Sequence, residues 1–171
     1  MNTGKLFEQQ FTKSVPEDVL VYRIPDQAQS FCKSSLRFSI KNPFDYIMWN
    51  PSTKTLYALE LKTVKGKSIS FERSKNDSGE IHYHQIEGLK LWDSYGGIIS
   101  GFVIEFRELE KTIFIAIKDF NHMLDIVNKK SFNINDLDKN EIKYYVIDQE
   151  KKRTRFTYCV DRFINDMGCQ N

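Results

Sequence analysis

Cysteine is scarce in this chain of 171 residues: Cys32, Cys159 and Cys169 are all it has. They are widely spaced and odd in number, so they offer neither a disulfide framework nor the paired spacing of a zinc site. The thiols are read as reduced, in a cytoplasmic protein. No apolar run is long enough to span a bilayer, and the polar N-terminus has no signal segment. No internal repeat or low-complexity tract divides the sequence. Net charge is only +2, which neither demands nor excludes a nucleic-acid partner. What remains is one domain, residues 1–171, with room for a real core.

The stretch around which the rest is organised runs from Phe44 to Lys62. Two arms rich in aromatic and aliphatic residues flank a break at Asn50-Pro51, which predicts a hairpin. Charge sits at the far ends of the arms: Asp45 opens the first, and Glu60 and Lys62 close the second. Side chains alternate along a strand, so Glu60 and Lys62 share a face with Leu56 and Ala58. Asp45 joins that face only if it lies opposite Glu60 or an even number of residues away. The predicted register is the one in which paired residue numbers sum to an odd value. Two converging carboxylates suit a hard cation such as Mg²⁺, completed by waters and a substrate phosphate. A metal there lowers the pKa of a bound water and stabilises phosphoryl charge. Lys62 would hold the attacking water or neutralise the phosphate. This is the chemistry of phosphodiester hydrolysis. An ordinary hairpin with a surface ion pair satisfies the same short pattern.

The other elements supply context. Residues 3–14 read as a helix with Leu6, Phe7 and Phe11 as its apolar stripe and Glu8 at the edge of that stripe. Asp18–Ile24 is a short strand. Residues 25–42 form a polar, basic loop whose Lys33, Arg37 and Lys41 are candidate phosphate contacts. A second basic stretch, 63–80, adds Lys65, Lys67 and Arg73, with a brief strand at Ser68–Phe71. His82–Tyr95 is a helix stopped by Gly96-Gly97, with Gln85 on its apolar side, where the amide must find partners. His82-x-His84 is not a zinc site, because residues two apart on a helix diverge. Ile98–Phe106 and Thr112–Ile117 are apolar strands. Phe120 to Val127 and Asn135–Ile142 are helices. Asp136-x-Asp138-x-Asn140 is rejected as a calcium loop, since Glu141 replaces the turn glycine and Ile147 the final ligand. Tyr144–Ile147 and Arg155–Val160 are predicted to pair as a last hairpin tipped by residues 149–153, and a helix from Asp161 ends the chain. The order gives an α/β fold: a central mixed sheet flanked by helices.

Asp45 followed by Glu60-x-Lys62 resembles the PD-(D/E)xK nuclease core, and hence a restriction-endonuclease-like fold. Within that superfamily the chain is most similar to RecU, the Holliday junction resolvase of low-GC Gram-positive bacteria and their phages. Asn2-Thr3-Gly4-Lys5-Leu6-Phe7-Glu8 resembles the N-terminal Asn-x-Gly segment. Asp45-Tyr46 with Glu60-Leu61-Lys62-Thr63 resembles the catalytic hairpin. His82-Tyr83-His84-Gln85-Ile86-Glu87 resembles the start of the helix that carries the family's His-Gln pair. The resemblance covers residues 2–117 and is weaker beyond. It implies a homodimeric endonuclease, dependent on Mg²⁺ or Mn²⁺, that nicks two strands of a four-way DNA junction symmetrically in the cytoplasm of a bacterium or of a phage-infected one. Asp45, Glu60 and the main-chain oxygen of Leu61 would ligate the metal, Lys62 would serve the water, and Glu8 and Gln85 would support the site. The family has a long projecting stalk before its catalytic aspartate; here the segment before Asp45 is short. Another endonuclease of the same core, for repair or restriction, or a DNA-binding relative that does not cleave, stays open beside the resolvase.

Overall fold

The computed structural model describes residues 3–25, 42–153 and 155–169. Helix α1 (Thr3–Lys13) buries Phe7, Gln10 and Phe11, and the chain leaves it ahead of Pro16, which cannot continue a helix. Strand β1 (Leu20–Arg23) pairs antiparallel with β2 (Tyr46–Asn50). β2 turns at residues 51–54, where Lys54 takes a φ of 55°, and returns as β3 (Thr55–Val64). A short β4 (Ser68–Ser70) precedes α2 (Tyr83–Asp93). α2 carries the chain back so that β5 (Ile98–Phe106) lies parallel to β3, which a direct turn could not do.

β6 (Lys111–Ala116) pairs antiparallel with β5 and runs straight into α3 (Ile117–Ile126). β7 (Ser131–Asn133) pairs with β4, an element the sequence reading lacks. In α4 (Ile134–Lys139) the first turn is capped by Asn133, whose Oδ1 accepts from the Asp136 N–H at 2.9 Å. β8 (Tyr145–Ile147), β9 (Gln149–Lys152), β10 (Arg155–Tyr158) and α5 (Val160–Gly168) complete the chain. Among the described residues the main sheet has six strands, in the order β1-β2-β3-β5-β6-β8.

The terminal hairpin differs from the prediction. β8 does not pair with the segment beginning at Arg155; it joins the main sheet beside β6, and the hairpin is β9 with β10. The reason lies in the side chains. Ile147 is buried, and the Tyr145 ring packs at a tilt with its centroid 5.5 Å from that of Phe163 of α5, so this segment has an apolar face that needs the main sheet. Gln149–Lys152 has none. The cations assigned to a hairpin tip therefore stand largely on a strand.

Alternation along β3 splits the core in two. Ala58 faces α2 and α3, among Ile86, Leu89, Phe102 and Phe120. Tyr57, Leu59 and Leu61 face α1, α5 and β10, among Phe7, Phe11, Tyr158 and Phe163. Glu60 and Lys62 lie on the α2 side by the same period.

Candidate active site

The ladder between β2 and β3 pairs Tyr46 with Leu59 and Asn50 with Thr55. These numbers sum to an odd value, as predicted, and place Asp45 beside Glu60. The Asp45 N–H donates to the Leu59 carbonyl at 3.2 Å, and the Asp45 carbonyl accepts from the Ile24 N–H at 2.7 Å. The aspartate is thus pinned by main chain on both sides. Leu61, two residues beyond Leu59, directs its main chain to the same side, past the end of the β2 ladder. Its N–H is a hydrogen-bond donor to the Asp45 carboxylate.

Glu60 is 2% exposed. Its Oε1 accepts from the Lys62 ammonium at 3.0 Å and from the Gln85 amide. Gln85 is oriented by its own helix: its Oε1 accepts from the His82 N–H at 2.9 Å. With the amide oxygen spent on the start of α2, the nitrogen must point at Glu60. Glu8 reaches over from α1. Its carboxylate accepts from Arg23 Nε at 2.8 Å and from the Tyr46 hydroxyl at 3.5 Å, and its charge acts on Asp45.

Burial raises the pKa of both carboxyls of the pair. Asp45 is raised by burial against the opposing pull of the Lys62 ammonium, with the Glu8 charge adding to the rise. Glu60 is pushed up to about 8, again chiefly by burial, with Lys62 opposing and Asp45 reinforcing the rise. Two acids and one nearby ammonium leave an excess of buried negative charge. Among the described residues Glu60 Oε2 is buried and accepts from no N–H or hydroxyl, its carboxyl meeting only that of Asp45 beyond the bonds to Oε1. An orphaned carboxylate oxygen next to a second carboxylate, in a site that disfavours their charge, suits a hard divalent cation. Among the described residues no cluster of three or more His, Cys, Asp or Glu side chains converges. Two adjacent carboxylates are a donor set of the kind Mg²⁺ completes with water and phosphate.

Of the predicted site residues, Asp45, Glu60, Lys62 and Gln85 meet at one point, with the Leu61 main chain between them and Glu8 at the edge. Lys33, Arg37 and Lys41 lie outside the described residues. Lys65 and Lys67 are exposed in the turn between β3 and β4. Arg73 is turned inward. Its guanidinium donates to the carbonyls of Leu124 at 2.8 Å, Lys129 at 3.0 Å and Val127, closing the end of α3. Arg23 and Tyr46, which hold Glu8, were not singled out from sequence. Their signal is the pairing of Arg23 with Tyr46 across β1 and β2, and it becomes visible only once that register is known.

The protein is an α/β fold, a mixed sheet with helices on both faces, with Asp45 just ahead of β2 and Glu60 and Lys62 on the adjacent β3. Asp45, Glu60 and Lys62 come together there as the PD-(D/E)xK resemblance leads one to expect. Residues 53–161 match the family Recombination protein U, RecU, and the chain belongs to that family. The match takes in Glu60, Lys62 and Gln85, starts after Glu8 and Asp45, and runs well past residue 117, where the motif resemblance weakens. The SPbeta prophage-derived uncharacterized protein YotM of Bacillus subtilis (strain 168) is 32% identical over 177 residues, spanning 97% of this chain and 87% of that protein. Among solved structures, Hjc of Archaeoglobus fulgidus, a Holliday junction resolvase, aligns over 77% of this chain and 84% of its own, with 15% identity and a TM-score of 0.45. Among the described residues no helix is long and apolar enough to cross a membrane.

Proposed function

We propose that this protein is a metal-dependent endonuclease that resolves four-way DNA junctions by paired, symmetric phosphodiester hydrolysis, acting as a homodimer. The observation that carries the chemistry is the buried, unpartnered Oε2 of Glu60 beside Asp45, with Lys62 3.0 Å from the other oxygen. Membership of the RecU family supports the junction as substrate.

Asp45, Glu60 and the Leu61 carbonyl would hold Mg²⁺ or Mn²⁺. Bound there, the metal supplies a water of lowered pKa and charge stabilisation on the phosphoryl oxygens. Gln85 keeps Glu60 Oε1 occupied, so that Oε2 is the oxygen left to ligate. Lys62 is held at the same Oε1, within one side chain's reach of the attacking water, and it offsets the charge that builds on the phosphate. Arg23 and Tyr46 fix Glu8, which is placed to orient a water at the rim. Lys65 and Lys67 are exposed and free to meet DNA phosphates.

The test is cleavage of a labelled synthetic four-way junction in Mg²⁺, beside a linear duplex of the same sequence, with Lys62→Ala in parallel. Paired nicks confined to the junction and absent from the variant are expected. Equal cutting of junction and duplex would keep the nuclease and remove the junction preference. Tight binding with no cutting in Mg²⁺ or Mn²⁺ would overturn the enzymatic reading in favour of a binding protein.

A further inference from the structure

Helix α1 has two polar flanks. Glu8 turns towards the acidic site, whereas Gln10 and Lys13 lie on the far side of the helix axis. That far flank meets β10, and between them lies a recess of about 260 Å³ lined in part by Gln10, Lys13, Ser14, Lys152, Phe156 and Thr157. Among the described residues its lining contains no acid.

The wall of the recess is built by hydrogen bonds from the strand edge to the helix. The Tyr158 N–H donates to Ser14 Oγ at 3.1 Å, and the Phe156 N–H to Gln10 Oε1 at 3.5 Å. Ser14 Oγ in turn donates to the Gln10 carbonyl at 2.8 Å. These bonds commit the amide oxygen of Gln10 to the strand. Its Nε2 is then a buried donor without a partner, on a side chain 8% exposed. Such a donor carries a standing cost until an acceptor arrives. Lys13 and Lys152 are exposed at the margins, and the acid nearest in sequence, Glu150, touches Lys152 only at 3.8 Å. Lys151 is not part of this set, because it pairs with Glu110.

We infer that this recess holds a backbone phosphate of a DNA arm, received by the Lys13 and Lys152 ammonium groups and the unpartnered Gln10 amide. A compact anion with several acceptor oxygens meets the two ammonium groups at the margins and takes the Gln10 amide once that side chain turns its buried nitrogen into the recess. The recess is too small for a base pair and admits one phosphodiester. The inference rests on the nuclease reading above and extends it to a second contact. One helix diameter, about 10–12 Å, separates the two flanks of α1. The recess is thus a contact separate from the acidic site, on the face of the sheet that carries α1.

The test is the slope of log affinity against log salt for a labelled four-way junction and a linear duplex, in EDTA so that no hydrolysis occurs. The proteins compared are the wild type, a Lys13→Gln/Lys152→Gln double variant, a charge-matched Lys139→Gln/Lys143→Gln double variant and Gln10→Glu. Gln10→Glu keeps the acceptor for the Phe156 N–H and replaces the donor with negative charge; thermal unfolding confirms that each variant folds. The expected result is a slope smaller by about one to two and binding weaker by roughly tenfold for the Lys13/Lys152 pair. Gln10→Glu should weaken binding as well, and the Lys139/Lys143 pair should match the wild type. Wild-type binding with identical slopes for both lysine pairs would overturn the inference and leave the nuclease reading intact. Failure of the wild type to bind either DNA would overturn that reading along with it.

Discussion

Glu60 illustrates how a single residue can be costly to the fold and central to the proposed site. Its carboxyl, pushed up to about 8 by burial, holds its proton longer in the folded chain than in the unfolded one. Its contribution to stability is therefore fully present below the ordinary glutamate range and is lost as pH rises through about 8. Glu60→Gln removes this liability while keeping an acceptor for Lys62 and Gln85. In EDTA the variant should melt above the wild type, by a margin that grows from pH 5 to 9 and reaches about 1–3 kcal/mol. Mg²⁺ should raise the wild-type melting temperature and leave that of the variant unmoved. Parallel melting curves across that pH range would show that the buried charge is not costly. Arg73 is the converse case, a basic residue whose work is internal. Arg73→Ala uncaps the carbonyls of Leu124, Val127 and Lys129 and should destabilise by about 1–3 kcal/mol. Arg73→Lys should rescue little, since an ammonium lacks the planar fork. The salt dependence of DNA binding should be unchanged in both.

At the scale of elements, the site depends on how closely α2 approaches the start of the hairpin. Gly88 makes that approach possible. A Cβ there would lie 2.3 Å from Pro43 Cβ and 2.9 Å from its Cα, closer than any packed pair tolerates. Next to it, Phe44 meets Trp92 edge-on with ring centroids 4.9 Å apart. Pro43 and Phe44 immediately precede Asp45, and α2 also carries Gln85, so the Gly88 contact sets the distance between the aspartate and the amide that orients Glu60. Gly88→Ala should push the helix off, cost about 1–3 kcal/mol of stability and lower junction cleavage more than junction binding. Equal losses in cleavage and binding would separate this packing from the acidic site. The β9–β10 hairpin acts at the same scale, since its open edge is covered by Gln10 and Ser14 of α1.

For the whole molecule, the sheet separates two cores, and the site sits where β2 begins and elements from both sides meet. α2 brings Gln85 from one face and α1 brings Glu8 from the other. A net charge of +2 means that affinity for DNA has to come from placed cations and not from a general positive field. Cutting two strands of a junction symmetrically requires two such sites related by a two-fold axis. Sedimentation at micromolar concentration should therefore return twice the mass of the chain, with the junction binding one dimer. A monomer that still makes paired nicks would contradict the two-site arrangement.

Local pattern by itself determined most of the elements and the face each side chain takes. Period-2 alternation put Glu60 with Lys62, apolar spacing and Pro16 bounded α1, and the odd-sum register of the hairpin followed from asking that Asp45 share the face of Glu60. Those features depend on neighbours a few residues apart, and such neighbours are written consecutively. Tertiary structure alone decided the rest. Whether Tyr145–Ile147 pairs with β6 or with β10 depends on Phe163 being present to receive Tyr145. Whether Arg73 meets DNA or the end of α3 depends on carbonyls more than fifty residues away. The orphaned oxygen of Glu60 exists because Gln85 and Lys62 both converge on the other one. Each of these outcomes is a competition between distant partners for one donor, one acceptor or one apolar face, and a sequence names the competitors without their distances.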